Sequence, residues 1–122
     1  MPNRHRGAPA IAIFAVALAF PSAARADEWT RTDTAIEVGC GALLIADWRQ
    51  TLDRRYEESN AILGRSPGAA AVTDYFLAVM ALQFASARLL PHPWRTLFQG
   101  ITLGTEGRSV YNNWQLGARL LW

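Results

Sequence analysis

The chain contains no lysine: all twelve of its cationic side chains are arginine, set against ten acidic residues. Bias in genomic composition accounts for that without a functional cause. Cysteine and histidine are nearly absent too, with one Cys and two His. A single thiol forms no internal disulfide, and a zinc site built from His and Cys needs more of both. Cys40 sits between Gly39 and Gly41 in an apolar run, the setting of a small buried residue rather than a reactive thiol. His92 lies between two prolines, a loop position, and His5 falls in the N-terminal leader described next. No Gly-rich phosphate loop occurs, and no Ser or Cys nucleophile has a base placed for it. These absences argue against an enzyme and call for no cofactor or metal. There is also no internal repeat, no low-complexity tract and no strand-like alternation.

What is present begins with an export signal. Arg4 and Arg6 supply a positive start, Ala10 to Phe20 is an unbroken apolar run of eleven residues, and Ala24-Arg25-Ala26 offers a cleavage site. At 1.5 Å per residue that run makes about 16 Å of helix, short of the roughly 30 Å hydrocarbon core. Residues 1–26 therefore read as a cleaved signal peptide, with an uncleaved anchor as the alternative, and residues 27–122 as one helical domain of 96 residues. The exported product would sit in the inner membrane or the periplasm. Cleavage also removes Arg4, Arg6 and Arg25, leaving nine Arg against ten acids, a balance of −1. The basic whole-chain balance is then no sign of nucleic-acid binding.

Apolar and polar stretches in the mature chain predict an all-α fold, a small bundle of about three helices. The first runs from about Thr34 to Tyr56, with Thr32, Asp33 or Thr34 as its cap. A loop follows at Asn60–Gly68, punctuated by Gly64, Pro67 and Gly68. The second helix covers about Ala69 to Leu90 and stops at Pro91-His92-Pro93. The third starts near Trp94, and the tail from Leu116 to Trp122 is either its end or a short extended piece.

Two sets of observations bear on the membrane. No segment has 18 uninterrupted apolar residues, the usual criterion for a span, which favours a soluble exported domain. Against that, the second helix has a spanning length of about 33 Å, and Ala78, Ala81, Ala85 and Ser86 recur at packing intervals, as do Gly100 and Gly104 in the third. Arginines also collect between the first two helices (Arg49, Arg54, Arg55, Arg65), with only Arg88 and Arg95 at the next connection. The positive-inside rule would place the Arg-rich connection in the cytoplasm.

A polar thread passes the apolar segments. On a helix, Asp47, Thr51, Arg54 and Glu58 share one face. They suit an ordinary solvated stripe. They also suit a cluster in which Asp47, Gln50 and Thr51 meet Glu58, Asn60 and Glu106, closed by Asn112 or Asn113. Carboxylates in an apolar setting must pair, bind an ion or take a proton, so such a cluster either holds a small ligand or ion or locks helix register.

Asp47-Trp48-Arg49-Gln50-Thr51, followed by Glu58-Ser59-Asn60-Ala61-Ile62-Leu63-Gly64 and Tyr75-Phe76, resembles the D-x-x-Q-T and E-x-N-P-x-L-G motifs of an uncharacterised family of small bacterial and phage helical proteins. Pro91 to Arg95 and Thr102-Leu103-Gly104-Thr105-Glu106 stand where that family carries its later motifs, whereas Ala61 replaces its proline. The resemblance spans most of Asp47 to Asn113 and implies a small, membrane-embedded helical protein with no assigned activity. Three roles remain open from the sequence: a membrane protein with a structural, self-associating or partner-binding role; a soluble periplasmic module binding a partner through Trp94, Tyr111, Trp114 and Trp122; or a ligand or ion site on the carboxylate cluster.

Overall fold

The computed structural model describes residues 27–53, 62–64, 66–118 and 120. The expected leader at residues 1–26 lies outside them, as do Arg54, Glu58, Asn60 and Trp122. Among the described residues there are three helices: α1 (Arg31–Thr51), α2 (Ala69–Leu89) and α3 (Trp94–Gln115). No strand occurs among the described residues. The expectation of a small all-α bundle is met.

Each helix boundary has a local cause. Thr30, not Thr32, Asp33 or Thr34, caps α1: its hydroxyl accepts from the Asp33 N–H (3.1 Å), and the Asp33 carboxylate accepts from the Thr30 N–H (2.8 Å). This reciprocal box satisfies two of the N–H groups that a helix start leaves open. Starting α1 at Arg31 rather than Thr34 puts Asp33 in its first turn. The helix ends at Thr51, five residues before the expected Tyr56, with the Leu52 and Asp53 N–H groups closing on Trp48 and Gln50. Helix α2 ends where Pro91 forces Leu90 into extended backbone. The end of α3 is a Schellman motif: Ala118 N–H donates to the Asn113 carbonyl (3.0 Å) and Gly117 N–H to that of Trp114 (2.9 Å). Gly117 takes φ +87°, which only glycine adopts cheaply. Leu116 onward is therefore past the helix, not its last turn.

Cross-helix contacts fix the topology. Asp33 meets Arg95 and Asp47 meets Asn113, so α1 and α3 run parallel. Gln83, late in α2, meets Glu37, early in α1, so α2 runs antiparallel to both. At the end where α1 starts, Ala87, Leu90 and Phe98 form a small apolar cluster with Trp29 packed against it. The guanidinium groups of Arg88 (4.8 Å) and Arg95 (5.1 Å) both stand over the Trp29 ring. Along α1 and α3, close approach depends on Gly39, where a Cβ would stand 3.2 Å from Leu103 Cδ2.

The distribution of polarity is inverted. Four residues are buried in each helix, and six of the twelve are polar: Asp33, Gln50, Gln83, Arg95, Gln99 and Thr102. Outside, over 35–45 of α1, 75–87 of α2 and 97–107 of α3, every exposed residue is Ala, Val, Ile, Leu, Phe or Gly. Exposed charges on the helices stand only beyond that belt, with Arg31 and Arg88 at one end and Asp74 and Arg108 at the other.

Candidate functional site: a polar seam between α1 and α3

The buried polar groups form one seam. On α1 it follows Asp33, Glu37, Cys40, Leu44 and Asp47, and on α3 Arg95, Gln99, Thr102, Glu106 and Asn113. Steps of four and three residues, and one of seven between Glu106 and Asn113, keep each series on one face, the spacing at which coiled coils place apolar residues. Here most positions carry hydrogen-bonding groups.

At the first end, Arg95 is fully buried and every branch of its guanidinium is used. Nη1 donates to Asp33 Oδ2 (3.0 Å) and to the Glu28 carbonyl (3.3 Å), Nη2 to the Asp27 carbonyl (2.9 Å) and Nε to the Ala87 carbonyl (2.9 Å). The last contact has a specific cause. The helical partner of the Ala87 carbonyl would be the N–H of residue 91, and Pro91 has none. Arg95 therefore caps α2 while pairing with α1. The sequence alone assigns Arg95 to the α2–α3 connection, and the structure corrects that: it sits in the first turn of α3 and faces inward. His92 completes the knot, its Nε2 3.2 Å from Asp33 Oδ2 and its backbone N–H donating to the Asp27 carboxylate (2.7 Å).

One turn further in, Glu37 Oε2 accepts from Gln99 Nε2 (2.8 Å) and Gln83 Nε2 (3.4 Å), so one carboxylate oxygen ties all three helices together. Gln99 Nε2 also donates to the Asp33 carbonyl (3.2 Å), and Thr102 donates its hydroxyl to Gln83 Oε1 (2.9 Å). Cys40 is fully buried beside this group, its thiol 3.5 Å from the Gln99 carbonyl, in keeping with a packing role.

The far end holds the residues that the sequence singles out. Asn113 Nδ2 donates to Asp47 Oδ1 (2.7 Å), and buried Gln50 donates to the Val110 carbonyl (3.3 Å). Glu106 is partly buried on the same face of α3. Thr51 is the last residue of α1 and has no hydrogen bond to this group among the described residues. Glu58 and Asn60 lie outside the described residues.

Of the residues that the sequence singles out, Asp47, Gln50, Glu106 and Asn113 lie toward this end, and the other end was not singled out. Asp33, Glu37, Gln83, Arg95, Gln99 and Thr102 are legible as polar residues, and the spacing of Asp33 to Glu37 and of Arg95, Gln99 and Thr102 is the signal that could have joined those on α1 and α3, whereas Gln83 stands alone on α2. Four side-chain oxygens along the seam are buried without a hydrogen-bond partner among the described residues: Asp33 Oδ1, Gln99 Oε1, Glu106 Oε2 and Gln50 Oε1. Among the described residues, no group of three or more His, Cys, Asp or Glu side chains is placed to hold a metal ion. Compared with known proteins, the chain matches no family model, no curated protein and no solved structure.

Proposed function

We propose that this chain is a small membrane-embedded helical protein, exported by its N-terminal leader, with a structural or partner-binding role in the bilayer. The observation that carries this reading is the inverted polarity: an all-apolar exposed belt around an interior in which half the buried helix residues are polar. Water rewards the opposite arrangement. In a bilayer, polar side chains turn inward and pair with one another, which is the pattern of this seam.

Dimensions support the same reading. Helix α2 has 21 residues, about 31 Å, and is long and apolar enough to cross a membrane. Helices α1 and α3 fall short by composition because their seam residues are polar, and those residues face inward. Trp94 and Trp114 lie on α3 near opposite ends, about 30 Å apart along the axis, which matches a hydrocarbon core of about 30 Å. Trp29 joins Trp94 at one end, and Trp48 and Tyr111 join Trp114 at the other, as aromatic side chains do at membrane interfaces. With Arg95 withdrawn into the bundle, the contrast between the Arg-rich α1–α2 connection and the α2–α3 connection sharpens. That favours a cytoplasmic α1–α2 connection.

Alkaline carbonate washing of membranes from cells producing the full chain tests the proposal. The protein should stay in the pellet. Release into the wash, with a monodisperse protein in detergent-free buffer, would replace it with the reading of a soluble periplasmic module.

A further inference from the structure

The outer surface of the bundle carries two opposite charges with nothing to pair them, and the following inference rests on the membrane reading. We infer that copies of this chain associate side by side in the bilayer, the 74–85 face of α2 in one copy against the 100–108 face of α3 in the next, with Asp74 paired to Arg108 of the neighbouring copy.

The first argument is charge complementarity at one depth. Asp74 is five residues into α2 and Arg108 six residues before Trp114, so each stands about 8–9 Å inside its helix at the end of the α1–α2 connection. Both are exposed, and neither has a hydrogen bond or ion pair among the described residues. A charge at that depth is costly in a bilayer unless it is paired. The bond from the Thr102 hydroxyl to Gln83 Oε1 (2.9 Å) sets the level of antiparallel α2 against α3. Asp74 is nine residues from Gln83 and Arg108 six from Thr102, both toward the same end. The two charges therefore differ in level by about 4–5 Å, which the long arginine side chain spans. Within one copy they do not meet. Copies inserted with one topology are related by rotations about the membrane normal, which keep every residue at its own depth. Each charge then finds its complement on a neighbour. An anionic lipid would satisfy Arg108 and leave Asp74 alone, whereas a second copy satisfies both.

The second argument is that the surfaces behind these charges allow close approach. From Asp74 the face continues through exposed Ala78, Ala81 and Ala85, on the opposite side of α2 from buried Val72, Phe76, Gln83 and Ala87. On α3, exposed Gly100 and Gly104 precede Arg108 at four-residue steps, and a Cβ added at either glycine would meet nothing within 4 Å. Ala81 and Gly104 each lie two residues to one side of the Gln83–Thr102 bond, and Ala85 and Gly100 two residues to the other. Small residues thus stand at matching depths on the two faces. Lipid competes equally for apolar surface, so close backbone packing and interhelical polar contacts are what bring helices together in a bilayer. The contact joins unlike faces, so association runs head to tail about the membrane normal and closes into a ring.

The test uses the full chain, in the membranes of the producing cells and then in mild detergent. Light scattering should give a protein mass at least about twice that of one chain. When the Ala81→Cys and Gly104→Cys variants are produced together, mild oxidation should join them by a disulfide several-fold more than either variant alone; Cys40 is fully buried and stays silent. Asp74→Arg and Arg108→Asp should each lower association several-fold while remaining helical by circular dichroism and membrane-bound. The double swap Asp74→Arg/Arg108→Asp should recover at least about half of it. A monomeric unaltered chain, or single swaps that associate like it, overturns the inference. So does a double swap that stays monomeric, the result expected if Arg108 holds a lipid phosphate instead. Release of the unaltered chain into alkaline carbonate overturns the membrane reading itself, so the two failures are told apart.

Discussion

Arg95→Met is the most informative single change to the fold. The substitution keeps an unbranched apolar stem and removes the guanidinium. Five contacts go with it: those to Asp33, to His92 Nε2 and to the carbonyls of Asp27, Glu28 and Ala87. The Asp33 carboxylate then stays buried with a second oxygen already unpartnered, and the Ala87 carbonyl faces Pro91, which has no N–H to offer. Breaking a buried pair from one side costs about 3–5 kcal/mol, most of it the uncompensated charge that remains. Arg95→Lys keeps the charge but cannot reach Asp33, Ala87 and the N-terminal carbonyls together, so a loss of about 1–3 kcal/mol is expected. In the double variant Asp33→Asn/Arg95→Met the stranded charge is gone. Its cost should then fall below the sum of the single variants by at least about 1 kcal/mol, beyond the roughly 0.5 kcal/mol within which independent sites add. Denaturant titration in detergent micelles, followed by helical circular dichroism, measures all four proteins. A loss below about 1 kcal/mol for Arg95→Met, or additivity in the cycle, would refute the view that this pair holds the three helix ends together.

Other outcomes follow from the same contacts. Thr30→Ala removes both the cap hydroxyl and its bond to Asp33 and should cost about 1–2 kcal/mol in the same titration, whereas Thr32→Ala, exposed and one residue past the start of α1, should change little. Gly39→Ala should be tolerated, since only the tip of Leu103 must yield, but Gly39→Leu should cost about 1–3 kcal/mol by wedging α1 from α3. Leu82→Arg alters an exposed site near the middle of the apolar belt of α2. In a bilayer it should oppose insertion by about 2.5–3.5 kcal/mol and lower the carbonate-resistant fraction, while in water it would shift stability by no more than about 0.5 kcal/mol. Gln99→Leu takes one donor from Glu37 and one from the Asp33 carbonyl, and a loss of about 1–3 kcal/mol in denaturant titration is expected.

The sequence by itself determined the number, type and order of the helices. Pro91 and Pro93 stop α2, the Gly and Pro between 64 and 68 punctuate the connection before it, and the long apolar stretch of α2 leaves little alternative to a helix. These are local effects, carried by residues close in the chain. The start of α1 was misplaced because a capping box depends on which of several Thr and Asp residues forms the reciprocal pair, and Thr30 and Asp33 are the pair three residues apart that does so. The extent of α1 was overdrawn because charged residues past Thr51 are compatible with helix, and nothing in their order marks the stop.

Only the tertiary structure decided which polar residues belong together. Asp33 and Arg95 are 62 positions apart, and Glu37 meets Gln83 and Gln99 only once α2 folds back antiparallel. From sequence, Arg95 follows a Pro-His-Pro turn and looks like a solvated loop charge. In the folded chain the same turn aims it inward, where three carbonyls and a carboxylate await it. The polar thread noticed near Asp47 was therefore one end of a longer feature. Whether a polar residue on a helix faces solvent or a seam depends on how parallel α1 and α3 are rotated about their axes. That rotation is set by long-range contacts, among them the close approach at Gly39, which no local pattern encodes.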